Sequence, residues 1–138
     1  MQKAALVIKG GTLIDGTGVD PVHNATVVVQ DSKIVSVGQG NDVQIPEKAK
    51  ILDIAGKTLM PGLIDAHLHL LGLKTDNYIS ETMIVPGGVK LLRAAKSAQV
   101  LLHSGYTTVK DTGGINALYL KQAIAEGTMP GPRILAAG

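Results

Sequence analysis

The residues with the most evident chemical capacity are Asp65, His67 and His69, in the segment Leu63-Ile64-Asp65-Ala66-His67-Leu68-His69-Leu70. Side chains alternate across a strand, so here Leu63, Asp65, His67 and His69 share one face, and Ile64, Ala66, Leu68 and Leu70 the other. Neutral imidazole is a common ligand of first-row metals, and a pair at i and i+2 can converge on one ion without backbone distortion. Two ligands are too few for a catalytic zinc, which takes three or more from the protein and keeps a position open for water. The same spacing also describes the polar face of a half-exposed strand. The surroundings bear on the choice, since parallel strands covered by helices are normally apolar on both sides. A polar stripe near the C-terminal end of such a strand is what a barrel active site requires.

The elements that must position this segment change character along the chain. Residues 1–60 read as short strands divided by turn signals. Ala5 to Lys9 is an apolar run stopped by Gly10-Gly11, and Asp15-Gly16-Thr17-Gly18 is a second turn cluster. Ala25 to Gln30 and Lys33 to Val37, joined by Asp31-Ser32, have the pattern of a tight hairpin, and Ile51 to Ile54 forms a later strand. Residues 61–138 alternate strand and helix: a strand from Leu63 to Leu70, a helix from Val89 to Ser104, a strand from Tyr106 to Lys110. A helix capped by Asn116 and ending near Glu126, then a strand from Arg133 to Ala137, complete the pattern. In the first helix Leu91, Leu92, Ala95, Ala98, Gln99 and Leu102 form the inward set; in the second, Ala117, Leu120 and Ile124. The expected class is α/β, a small N-terminal β-sheet domain followed by a parallel α/β unit. Gly72 to Gly88 reads as a long loop containing Pro86-Gly87-Gly88.

Composition bounds the partners. Of 138 residues, 13 are Lys or Arg and 11 Asp or Glu, a net charge of +2 with no long basic run, so neither nucleic acid nor an anionic membrane is favoured. No apolar stretch approaches the roughly 18 residues of a membrane span, and Ala4 to Ile8 is too short for a signal segment. A cytoplasmic protein is expected. The absence of Cys excludes disulfides, Cys-ligated zinc and thiol catalysis in this chain. With 45% hydrophobic residues the chain can bury a core, supplied by Leu, Ile, Val and Ala because aromatic residues are scarce.

Pro61-Gly62-Leu63-Ile64-Asp65-Ala66-His67-Leu68-His69 resembles the strand-one signature of the metal-dependent amidohydrolase superfamily. The likeness extends to Gly10-Gly11-Thr12-Leu13-Ile14-Asp15-Gly16-Thr17-Gly18 and to Ala55-Gly56-Lys57-Thr58-Leu59-Met60. Gly105-Tyr106-Thr107-Thr108-Val109-Lys110-Asp111-Thr112-Gly113-Gly114 and Gly131-Pro132-Arg133-Ile134 resemble its prolidase-like and imidazolonepropionase-like branch. The resemblance implies a TIM (β/α)8 barrel and a small β-domain, half of a composite β-sandwich built from both chain ends. It also implies one or two divalent ions, usually zinc, that activate water to attack an amide, peptide or other C–N bond. His67 and His69 match the first two metal ligands. Asp65 belongs to the signature and is expected to orient the strand or a ligand by hydrogen bonding.

The remaining ligands, a bridging carboxylated lysine, two histidines and a catalytic aspartate, are expected from later strands. Lys110 is not that lysine; it reads as a structural Lys at a strand end. Asp111 falls on the active-site rim by the barrel rule, and an Asp before Thr-Gly-Gly also serves as turn chemistry. His103 complements the dipole at a helix C-terminus, His23 is surface, and Gly113-Gly114 permits a tight strand-to-helix turn. Residues 61–138 carry three of the eight strands of a barrel that takes about 250 residues. The chain by itself is therefore expected to be an incomplete, inactive part of a hydrolase, with a small molecule or dipeptide as substrate of the complete enzyme. Its open strand edges should pair with another copy or with a C-terminal portion. The alternative is a non-catalytic fragment acting as an associating structural module.

Overall fold

The computed structural model describes residues 5–137, a mixed α/β chain whose two compact units divide between Pro61 and Gly62. In the first unit, β1 (Leu6–Leu13), β2 (Val22–Gln30), β3 (Lys33–Gln39) and β4 (Lys50–Asp53) form a sheet in the order β3-β2-β1-β4, and β5 (Thr58–Leu59) pairs with the far end of β1. Neighbours β1, β2 and β3 are antiparallel, while β4 and β5 run parallel to β1. Asp31 (φ 47°) and Ser32 (φ 63°) both adopt the left-handed backbone that a two-residue hairpin turn needs. Its core joins Ala5, Val7, Val28 and Val43. In the Ile14–Pro21 turn, the Asp15 carboxylate accepts from Thr17 Oγ1 (2.7 Å) and Thr17 N (2.9 Å), which lowers its pKa.

One expectation fails in β1. Gly10-Gly11 does not stop the strand; β1 continues to Leu13 with register shifts on both sides of Gly11, and Gly10 has φ +90°. A glycine pair inside a strand can serve as a bulge as readily as a terminator, because only glycine takes that φ without strain.

The second unit has a three-stranded parallel sheet in the order β6-β7-β8, formed by Leu63–Leu68, Tyr106–Asp111 and Arg133–Ala136. Helices α1 (Tyr78–Ile84) and α2 (Gly87–His103) connect β6 to β7, and α3 (Ile115–Ala125) connects β7 to β8. Leu70, Ala94, Val109, Ala117, Leu120 and Ile134 make the core between sheet and helices. Two expected details shift. The buried residues of α2 are Ala94 and Ala98, whereas Leu92 is 73% exposed; the inward stripe runs 91, 94, 95, 98, with small residues where the helix meets the sheet. The Gly72–Gly88 stretch is no plain loop, since α1 lies within it. The Asn77 side chain caps α1 by accepting from Ser80 N at 3.0 Å, and Glu81 pairs with Arg93 of α2 at 3.0 Å. No helix among the described residues is long and apolar enough to cross a membrane.

Cross-strand register divides the sheet's faces. Val109 and Ile134 are partners and both buried, while the next row, Lys110 and Leu135, is exposed. Ile134→Ala should therefore cost about 2–5 kcal/mol, against less than about 0.5 kcal/mol for Leu135→Ala, measured by urea unfolding of this chain. Equal losses at the two positions would contradict this assignment of faces.

Candidate functional site

Strand β6 carries Asp65 and His67 and ends at Leu68, so His69 and Leu70 lie just beyond it rather than within it. The expected alternation is also interrupted. Asp65 pairs with Val109 and Leu68 with Asp111, so a register shift puts three residues of β6 against two of β7. Asp65 consequently falls in the row of Val109 and Ile134, which is buried against the helices, and not on a common face with both histidines. Its Oδ1 accepts from His67 N at 3.0 Å, a local bond that braces the backbone where the register slips.

The two imidazoles nevertheless come together. Both are exposed, with ring centroids 5.5 Å apart and planes at 79°. His69 is the more constrained. Its Nδ1 lies 3.1 Å from the Gly113 carbonyl and its Nε2 3.2 Å from Thr112 Oγ1. A carbonyl oxygen can only accept, so the Nδ1 bond requires the proton on Nδ1 and leaves Nε2 as an acceptor facing the Thr112 hydroxyl.

Asp111, the last residue of β7, is 1% exposed, its carboxylate buried at the exits of β6 and β7. Its Oδ2 accepts from Leu70 N at 2.6 Å and its Oδ1 from Gly113 N at 2.9 Å. Thr112 N donates to Leu68 O at 3.0 Å. Asn116 does not cap α3, whose N-cap is Gly114 (φ +131°); it sits in the first turn and donates through Nδ2 to the carbonyls of Leu70 (3.3 Å) and Leu71 (3.2 Å). The exits of β6 and β7 are thus joined by a group of polar bonds around His69. Thr112 and Asn116 were legible only as turn and cap residues, because nothing in their spacing reveals a partner some 45 positions away in sequence.

A cavity of about 530 Å³ opens beside His69, lined also by Leu71, Tyr78, Gly113 and Gly114. Lys110 is exposed on the sheet face opposite Val109, and His103 is exposed at the end of α2. His23 lies in β2, with Nδ1 3.2 Å from Thr12 Oγ1. Among the described residues no three or more His, Cys, Asp or Glu side chains gather closely enough to enclose a metal ion.

The sequence profile of the amidohydrolase family matches residues 58–138, the stretch that contains the histidine pair and every residue bonded around it. The chain belongs to the amidohydrolase family. Ochratoxinase of Aspergillus niger is 34% identical over 143 aligned positions, covering 96% of this chain and 28% of that protein. Imidazolonepropionase of Streptomyces griseus subsp. griseus is 28% identical over 130, covering 91% and 31%. Among solved structures, a Xaa-Pro dipeptidase with bound methionine in its active site superposes with a TM-score of 0.85 at 30% identity, covering 98% of this chain and 33% of the other. A prolidase complexed with N-methylphosphonate-L-proline gives 0.83 at 32% identity, with 98% and 32% covered. This amidohydrolase chain thus spans 28% and 31% of the lengths of these two curated relatives.

The Asn116 bonds should contribute measurably to stability. Asn116→Ala is expected to lower it by about 1–2 kcal/mol, from two lost hydrogen bonds to partly buried carbonyls, with helix content retained by circular dichroism. An unchanged urea midpoint would contradict this.

Proposed function

We propose that this chain is the N-terminal part of a metal-dependent amidohydrolase, in which His67 and His69 are the first two ligands of a divalent ion, zinc by donor type. The observation that carries the proposal is the His67–His69 convergence at 5.5 Å, with the Nδ1 bond to Gly113 leaving His69 Nε2 unprotonated and facing the Thr112 hydroxyl. A ligand imidazole that gives its other N–H to a backbone carbonyl is the usual arrangement in metal sites. The donor set fits as two of the three or more ligands such an ion needs, and the others would come from strands beyond β8. On this reading β6, β7 and β8 are the first three strands of a TIM barrel, and the first unit is half of a composite β-sandwich.

The reaction is hydrolysis of an amide, peptide or other C–N bond. A bound zinc ion supplies Lewis acidity, which activates water and polarises the scissile carbonyl. The chain's own residues supply orientation. His69 presents Nε2 at a fixed angle, the Asp65 bond braces the backbone that carries His67, and the cavity beside His69 can receive a small substrate such as a dipeptide. The prolidase-like branch is supported by the 30–32% identity to the dipeptidase and prolidase structures.

A second reading, a non-catalytic associating module, is favoured by the open sheet face, where Ile64 is 68% and Leu135 52% exposed. Covering that face calls for a second copy or for further strands of the complete enzyme.

Zinc content by elemental analysis, with mass from light scattering, tests both readings. The hydrolase reading expects the complete enzyme to hold zinc that is lost in His67→Ala and His69→Ala. In the complete enzyme each substitution should lower kcat/KM on an Xaa-Pro dipeptide or N-acyl amino acid by more than about 100-fold. Association without zinc, together with full activity of both variants in the complete enzyme, would leave only the module.

A further inference from the structure

Asp111 holds a position that neither a metal ligand nor a simple turn residue explains. It buries a carboxylate at 1% exposure at the strand exits, and a buried polar group is tolerated only where its oxygens find donors. The donors it finds flank His69 on two sides. Leu70 N belongs to the peptide that follows His69, and Gly113 N belongs to the residue whose carbonyl receives His69 Nδ1. One side chain therefore fixes both the backbone from which the imidazole projects and the acceptor that decides which ring nitrogen keeps the proton.

We propose that Asp111 is a positioning residue: its carboxylate, by holding the amides of Leu70 and Gly113, sets the Nδ1–H tautomer of His69 and so leaves Nε2 unprotonated, beside the Thr112 hydroxyl. As a route to metal binding this rests on the reading of His69 as a ligand, but the tautomer is a property of the chain alone. Asp111→Asn separates the role from mere filling of space. The amide has nearly the same shape, yet its single oxygen can accept from only one of the two N–H groups, and its NH2 must face the other. The Gly113 carbonyl then loses its fixed place and His69 its reason to prefer Nδ1.

The test is long-range 1H–15N correlation of the imidazoles in the 138-residue chain at a pH of about 8.5, where histidine is neutral. The native chain should show His69 protonated at Nδ1. Asp111→Asn should lose this as the dominant form, and its zinc affinity, by competition with a chromophoric chelator, should fall about 10–100-fold. Asn116→Ala loosens the same segment through the carbonyls of Leu70 and Leu71 and should keep the Nδ1–H form. A native His69 protonated at Nε2, an Asp111→Asn chain that keeps Nδ1–H, or an Asn116→Ala chain that shifts as far would each overturn the proposal. Should Asp111→Asn fail to fold, hydrogen exchange in the native chain decides. Slow amides at both Leu70 and Gly113 support the clamp, and a fast Gly113 amide overturns it. A tautomer shift upholds the positioning role whether or not the 138-residue chain, with two of the three or more ligands, holds zinc; unchanged zinc binding in His69→Ala of the complete enzyme would remove the metal reading instead.

Discussion

A carboxylate buried at the end of the middle strand constrains the second unit more than any other group. Desolvation would make the Asp111 charge costly there, and the two amide donors at 2.6 and 2.9 Å offset that cost only if Leu70 and Gly113 keep their places. The requirement propagates. Leu70 must leave β6 at a set height beside β7, which accompanies the three-against-two register between Asp65 and Leu68. Gly113 must turn back at once, so α3 begins at Ile115 behind Gly114, whose φ of +131° a side chain would oppose. The polar bonds of Thr112 and Asn116 then close a frame that the carboxylate has already located.

Local chemistry was readable wherever it acts locally. The Asp31-Ser32 hairpin follows from adjacent residues, and the inward positions Ala117 and Leu120 of α3 follow from helical period. The histidine pair was likewise legible, because two imidazoles two positions apart are close in any extended backbone. What escaped depends on partners distant in sequence. Gly10-Gly11 has the same composition whether it ends a strand or bulges one, and only pairing with β2 decides. The inward stripe of α2 turns on Ala94 and Ala98, whose small size lets the helix approach the sheet; a reading weighted to large apolar residues selects Leu92 instead. α1 is seven residues long and leaves Ile79 and Met83 exposed, so it presents almost no amphipathic signal. Its evidence is the Asn77 cap and the Glu81–Arg93 pair.

The face of Asp65, though not its expected role in bonding the strand, differs for a related reason. Strict alternation sets it beside the histidines, but alternation holds only while the register holds, and the slip between Asp65 and Leu68 moves it to the covered row. Its bond to His67 N then becomes intelligible: a short polar side chain next to a register shift satisfies an amide that the ladder would otherwise have taken.

The two histidines are unequal as a result. His69 is held at both ring nitrogens, by Gly113 and Thr112, and stands on backbone that Asp111 fixes; His67 is held through its main chain by Asp65. One imidazole is thus rigid and the other adjustable. On the proposed metal reading, the rigid member would set where an ion sits relative to the cavity beside Tyr78 and Leu71. On the same reading the adjustable member would accommodate small differences in how further ligands approach, without disturbing the frame around Asp111.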